Sequence, residues 1–404
     1  MTEIQCPVCH ASDFSTFFHW ENAVAEQQFL QKTQFDAQHC RRGKIELGFC
    51  RECGMIWNTV FDPSLLNYAA PYDATQTLST TFQKYATDTA QHLVDKYDIR
   101  GKDVIEIGCG DARFLKLLCE LGGNHGIGFD PSWNNENNNE LPETIKVIPD
   151  YYSDRHADYH ADLICSRHML EHIHNPIQFL QDLAHTTQKQ RPLFFFEVPN
   201  ASWSLRNFAF WDIYYEHCTY FSSVSLNRLF MSCRFDVLDI REGFDGQYLW
   251  VESKLNSPEK QNPYRLNTNW EINNLSREVG AFSQAQRRLF EALQRKISTL
   301  LKDKKVVIWG AGARAVALLN LLKIQPNEIE YVVDINPKKW GAFVPGTGQE
   351  IVGPHFLLQY RPNTILVMNP QYIHEIDRIV TNTGISGKTQ VIQADLGETH
   401  DRPD

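Results

Sequence analysis

The stretch VIEIGCGDARFL, Val104 to Leu115, decides the fold. A short β-branched run leads into two glycines one residue apart, and an apolar repeat with helical spacing follows. Glycines 108 and 110 let the backbone come close to a ligand at the carboxyl end of a first strand, where open α/β sheets bind theirs. Working outward, strand and helix signals alternate through KDVIEIGC, ARFLKLLCELG, HGIGFDPS, TIKVIPDYYS and ADLICSRHML, and LFFFEV reads as a buried strand. That alternation predicts a parallel α/β sheet. WNNENNNE, Trp133 to Glu140, reads as an exposed polar loop.

A G-x-G alone fits several cofactors. Here Glu106 stands in the strand before it, and Asp130 ends the next strand, placed to accept both hydroxyls of a ribose.

The rest of the chain sets the bounds. With 404 residues, 42% apolar and 22% charged, it has the material for two or three domains, each with a core. A net charge of -10 argues against a broad nucleic-acid surface and gives no attraction to an anionic membrane. MTEIQCPVCH holds no apolar signal core and no run reaches membrane-span length, so a cytoplasmic protein is expected.

Five of the ten cysteines lie in the first 53 residues, and four of them form two C-x-x-C pairs, Cys6 with Cys9 and Cys50 with Cys53. A two-residue spacer lets both sulfurs of a pair reach one tetrahedral ion, and two pairs close a four-thiolate shell. The reading is a structural zinc site, with Cys40 and His10 as lesser substitutes and disulfides disfavoured. The expected organisation is a zinc-binding segment at 1–60, an α/β core at 61–255, a linker and connecting helix at 256–303, and a second Rossmann-like α/β domain at 304–404.

With HMLEHIHNP after the fourth strand, the core resembles the class I S-adenosylmethionine-dependent methyltransferases. The resemblance implies that Gly108, Gly110 and Glu106 lie by the methionine part of the donor, that Asp130 holds its ribose, and that Asp150 or Tyr151 neighbours its adenine.

The stretch YYEHCTYFS, Tyr214 to Ser222, follows neither a strand nor a helix period and reads as side chains gathered for a site. With the paired cysteines and the C-terminal α/β unit, it resembles the sugar C-methyltransferases of deoxysugar pathways over nearly the whole chain. That resemblance implies a nucleotide-linked keto sugar as acceptor. His217 is then the base that removes the proton beside the carbonyl, Glu216 its orienter or charge partner, and Tyr214 a donor to the enolate oxygen. His172 and Tyr72 line the same site, while His168 is expected to pack and His174 to lie on the surface. Cys218 reads as packing, because methyl transfer from a sulfonium needs no covalent enzyme intermediate. Where the family has a Gly-Gly-Ser-Leu-Arg type segment this chain has DGQYLWVES, so Gln247 and Tyr248 are expected to contact the acceptor.

VVIWGAGARAVALLNLL resembles a dinucleotide fingerprint, with Gly310, Gly312 and, ending the next strand, Asp334. The family resemblance implies that these hold the nucleotide sugar or form an architectural lid. An NAD-dependent oxidoreductase, an O- or N-methyltransferase on another small acceptor and a zinc-ribbon nucleic-acid binder are the rival readings.

Overall fold

A computed structural model describes residues 4–29, 31–66, 78–133, 141–256, 268–302, 305–384 and 390–393. Among them, no helix is long and apolar enough to cross a membrane.

The Cys-rich segment is more than two knuckles. It carries β1 (Phe14–Val24), β2 (Arg42–Cys50) and β3 (Ile56–Asn58), paired antiparallel in that order. The core adds β4 (Asp103–Ile107), β5 (His125–Phe129), β6 (Ile145–Ile148), β7 (Leu163–Arg167), β8 (Leu193–Pro199), β9 (Thr219–Tyr220), β10 (Phe235–Gly243) and β11 (Tyr248–Leu255). Seven of these form one sheet, in the order β10-β11-β8-β7-β4-β5-β6. All pairings from β8 to β6 are parallel, and β11 runs antiparallel to both neighbours. The chain moves outward one way through β4, β5 and β6, then restarts at β7 and moves the other way. The switch point is therefore the carboxyl ends of β4 and β7, where a ligand crevice opens.

β8 shows why this sheet is buried on both faces. Phe194 and Phe196 enter one apolar cluster and Phe195 the opposite one, all without exposure. Each ring contributes about 2–3 kcal/mol of burial.

The third unit holds β12 (Val306–Trp309), β13 (Tyr331–Val333), β14 (Glu350–Val352), β15 (Thr364–Val367) and β16 (Gln390–Gln393), all parallel, in the order β14-β13-β12-β15-β16. A single helix, Thr268–Leu301, leads into it. Its first half buries Ile272, Leu275, Val279 and Phe282 against β1 and β2, and Leu293 and Ile297 further on enter the core of the third unit.

Two further joints hold the units together. Glu375 of the third unit accepts from Ser79 Oγ (2.7 Å), Thr80 N–H (3.2 Å) and Thr81 N–H (3.1 Å), at the positive end of the helix Thr80–Tyr97. Arg42 of β2 donates to Gly346 O at 2.8 Å.

Candidate active site

At the end of β4 the chain turns through Gly108 and Gly110, with φ of 72° and 52°. A side chain at Gly108 would sit 3.0 Å from Met169, so only glycine combines this turn with that neighbour. Asp130, at the end of β5, accepts from Gly110 N–H at 2.8 Å, and its other oxygen accepts from Ser132 N–H (2.9 Å) and Oγ (2.6 Å). The loop and the acid are thus locked together at the switch point.

Glu106 does not face the crevice. Its carboxylate accepts from Leu115 N–H at 3.0 Å, an unpaired donor in the first turn of the helix Arg113–Gly122, and burial pushes its pKa up to about 8. Alternation along β4 sends Ile105 and Ile107 to one face and Glu106 to the other. Asp150 accepts from Tyr151 N–H and pairs with Arg155 at 3.1 Å, and Tyr151 is 60% exposed. The rings packed on Phe129 are instead those of Tyr152, His156 and Tyr159.

Beyond β7 the backbone turns at His168 (φ 53°) into Leu170–His172. This brings Glu171 and His172 against the Tyr214–Ser222 stretch. The rings of His172 and His217 meet edge to face, with centroids 4.9 Å apart, and Tyr214 lies 4.3 Å from His217. Burial dominates this group. It holds His172 down at about 4 and His217 well below the ordinary histidine range, and pushes the Tyr214 phenol up. Both imidazoles are neutral at working pH and able to accept a proton. Cys218 is unsuited to be a nucleophile, since burial raises its thiol to about 12. His174 is exposed and stacks on Phe61. Tyr72 lies outside the described residues.

Glu216 corrects the expectation. Its carboxylate accepts from the backbone N–H groups of Gln27 (2.6 Å) and Gln28 (3.2 Å) in the N-terminal segment. The carboxylate that faces His217 is Glu171, with Oε1 4.0 Å from His217 Nε2. Forty-five residues separate the two in sequence, and only the apposition of the turn after β7 with the Tyr214–Ser222 stretch joins them.

The N-terminal segment in fact grips that stretch from several sides. β3 pairs with β9, placing Ile56 opposite Tyr220 and Trp57 opposite Thr219. Asn58 N–H donates to Cys218 O, and Tyr215 OH accepts from Asp62 N–H at 2.9 Å. Tyr215, fully buried, fills the space left by Gly43, where an added Cβ would sit 2.2 Å from its ring.

Gln247 is a second correction. It accepts from Arg314 (2.9 Å) and Asn369 (3.1 Å) and donates back to Asn369, so its amide is spent on joining the core to the third unit. Arg314 also pairs with Asp212. Tyr248 stays near the site, stacked on Phe244 and 4.5 Å from the His168 ring.

An ionic network unread in the sequence lies beneath. Arg167 donates twice to Glu197 Oε1, His168 Nε2 is 2.8 Å from the same oxygen, and Tyr85 donates to Oε2. Burial alone would raise the Glu197 pKa, but Arg167 and His168 outweigh it and hold the group at about 2. The signal was a lone Glu inside LFFFEV.

In the third unit, Asp334 accepts from Ala311 N–H (2.8 Å) and Asn336 N–H (2.8 Å). Lys339 lies 3.8 Å from it and donates to Ala311 O, only 5% exposed. The cavity beside this loop, lined by Gln27, Phe343 and Lys339, measures about 10 Å³, room for one water.

Cys6, Cys9, Cys50 and Cys53 converge, with Cys6–Cys53 and Cys9–Cys50 sulfurs 3.5 Å apart. Both knuckles have one geometry: His10 N–H donates to Cys6 O and Gly54 N–H to Cys50 O, with φ of 60° and 75° at the residue after each pair. Four sulfurs and no other donor suit a tetrahedral thiophilic ion. Cys40 lies apart in another cluster.

Comparison with known proteins agrees with this geometry. Residues 79–240 match a family described as a methyltransferase domain, and residues 263–393 match one described as a C-methyltransferase C-terminal domain. The chain is an S-adenosylmethionine-dependent methyltransferase of the class I α/β fold. Among curated relatives, the C-methyltransferase NovU of Streptomyces niveus is 24% identical over 82% of this chain and 81% of its own. These matches together take in most of the chain. A mitochondrial ubiquinone biosynthesis O-methyltransferase of Dictyostelium discoideum is 29% identical over 21% of this chain and 32% of its own. A Burkholderia thailandensis N1-methyltransferase solved with S-adenosylhomocysteine is 14% identical, covering 44% of this chain and 82% of its own at a TM-score of 0.33.

Proposed function

We propose that this enzyme C-methylates a nucleotide-activated keto sugar. The observation that carries the reading is the edge-to-face pair of half-buried His172 and buried His217, with Tyr214 against His217, at the carboxyl end of β7 beside the switch point. A carbon beside a carbonyl is acidic enough for a positioned imidazole to deprotonate. His217 takes that proton, Tyr214 donates to the oxygen as it gains charge, and His172 walls the pocket. S-adenosylmethionine supplies the methyl group, which the carbanionic carbon attacks in line. Gly108 and Gly110 admit its methionine part and Asp130 its ribose, with Asp150 and Tyr151 at the rim near the adenine.

The domain limits proposed above stand with this reading: 1–60, 61–255, 256–303 and 304–404. The four paired cysteines hold a structural zinc whose segment clamps the catalytic stretch, as the β3–β9 pairing supports. Tyr248 faces the acceptor from the core. The third unit, with Gly310, Gly312 and Asp334, closes over the nucleotide end. None of the ten cysteines is in a disulfide, which suits the reducing cytoplasm in which we place the enzyme.

The test is proton NMR and mass spectrometry on nucleotide 4-keto sugars in heavy water, with and without the methyl donor. Enzyme-dependent deuterium uptake beside the carbonyl, lost in His217→Ala, and a mass gain of one methyl are expected. Donor binding without exchange or carbon methylation would overturn the keto-sugar reading. It would favour an oxygen acceptor, the reading to which the O-methyltransferase relative lends some support.

A further inference from the structure

Glu171 is a buried carboxyl group that the histidine mechanism leaves without a task. The residue is 2% exposed, and its Oε2 has no hydrogen-bond partner among the described residues. Its Oε1 stands 4.0 Å from His217 Nε2 and 4.0 Å from His168 Nδ1. Its own carbonyl accepts from Cys218 N–H at 3.1 Å and Thr219 Oγ1 at 3.2 Å, which fixes the turn after β7 to the residue following His217. A buried polar oxygen without a partner is destabilising, so its retention calls for a use.

We propose that Glu171 is the positioning carboxylate of the proton-abstraction step, holding His217 through Nε2 and stabilising the imidazolium formed there. The inference rests on the carbon-acid reading above. In that step the C–H bond beside the carbonyl breaks, and its proton goes to His217 Nδ1, the nitrogen not turned to Glu171. The electron pair passes into the enolate and then into the new carbon–methyl bond, and the neutral thioether leaves. Without an ionised partner, the imidazolium would be an uncompensated charge in a site that already holds two other imidazoles. Ionised Glu171 makes the pair neutral, as buried carboxylates do for catalytic histidines elsewhere.

The surroundings set the direction of the pH effect. The groups facing Glu171 are His168 and His172 from its own turn, His217 from the stretch before β9 with Tyr214 behind it, Glu197 from β8 and, through Glu197, Arg167 from β7. Burial, reinforced by Glu197, lifts the Glu171 carboxyl to about 8. The active state is the ionised one, so solvent exchange at the acceptor carbon rises as pH climbs through that value.

The experiment measures deuterium exchange into the keto sugar against pH for the full-length enzyme, alongside NMR of its labelled histidine and glutamate side chains. Glu171→Gln is expected to lower exchange about 100-fold with KM unchanged and to abolish the rise near pH 8. Glu171→Asp should recover part of the rate and keep the rise. In the unmutated enzyme, His217 and Glu171 should show the same two titration steps, because the pair shares its protons. Independent titrations, or an unchanged profile in Glu171→Gln, overturn the proposal. So does a second bound divalent ion per chain with chelator-sensitive exchange, which would make Glu171, His172 and His217 a metal site. Absence of exchange in the unmutated enzyme would instead defeat the keto-sugar reading, while shared titration steps would still establish the pair.

Discussion

The molecule holds two glycine loops built to one plan and put to different use. In each, a strand ends in G-x-G, a helix follows, and an acid at the end of the next strand bonds back to the loop. Asp130 accepts from Gly110 N–H and Asp334 from Ala311 N–H, both at 2.8 Å. The difference lies in what else arrives. Beside Asp334 the chain brings its own cation, Lys339, and the N-terminal segment brings Gln27. Among the described residues, no ammonium or guanidinium is paired with Asp130. The first acid has no internal counter-charge among the described residues, whereas the second is neutralised from within, which counts against NAD chemistry at the third unit. Similar local motifs thus acquire different surroundings.

Removing the internal cation tests this contrast most severely. Lys339→Met leaves Asp334 buried without its counter-charge and should destabilise the third unit by roughly 3–5 kcal/mol. Thermal unfolding would show the loss, and unchanged stability would mean the lysine does not neutralise the acid. Next in size, Asp130→Ala should weaken S-adenosylmethionine binding by about 100-fold in calorimetry, the worth of two hydrogen bonds to a charged group. Asp334→Ala should leave donor affinity untouched, and an equal fall in both would break the comparison.

The smallest effect concerns Glu106. Its folded pKa of about 8 lies above the ordinary 4.5, so folding favours its neutral form. Its stabilising contribution is complete below pH 4.5 and drains away as pH rises towards 8. Glu106→Gln, which still accepts from Leu115, should therefore raise the melting temperature by a few degrees at pH 8.5 and leave it unchanged at pH 4.5. A shift equal at both values would show that Glu106 is ionised when folded and faces the crevice after all.

Legibility followed the range of the interaction. The sheet was readable because alternation and β-branched runs are local, and LFFFEV announced a strand buried on both faces. The paired cysteines were readable because a two-residue spacer states its own geometry. Side-chain direction was not. Glu106 and Glu216 occupy their expected places, yet one caps a helix and the other holds the backbone of Gln27 and Gln28. Gln247 sits in the segment expected to meet the acceptor, but Arg314 and Asn369 from the third unit reach it first.

By itself the sequence determined the α/β order, the first glycine loop with its acid, the four-sulfur cluster and the histidines of the candidate site. Each rests on short motifs whose residue types and spacing are readable in themselves. Only the tertiary structure decided that the N-terminal segment clamps the Tyr214–Ser222 stretch through β3 and β9, that Glu171 and not Glu216 faces His217, and that Lys339 fills the second loop. The physical reason is common to all three. A carboxylate, an amide or an unpaired strand edge takes the nearest partner that folding delivers, whether five residues away, as Lys339 is from Asp334, or more than a hundred, as β9 is from β3.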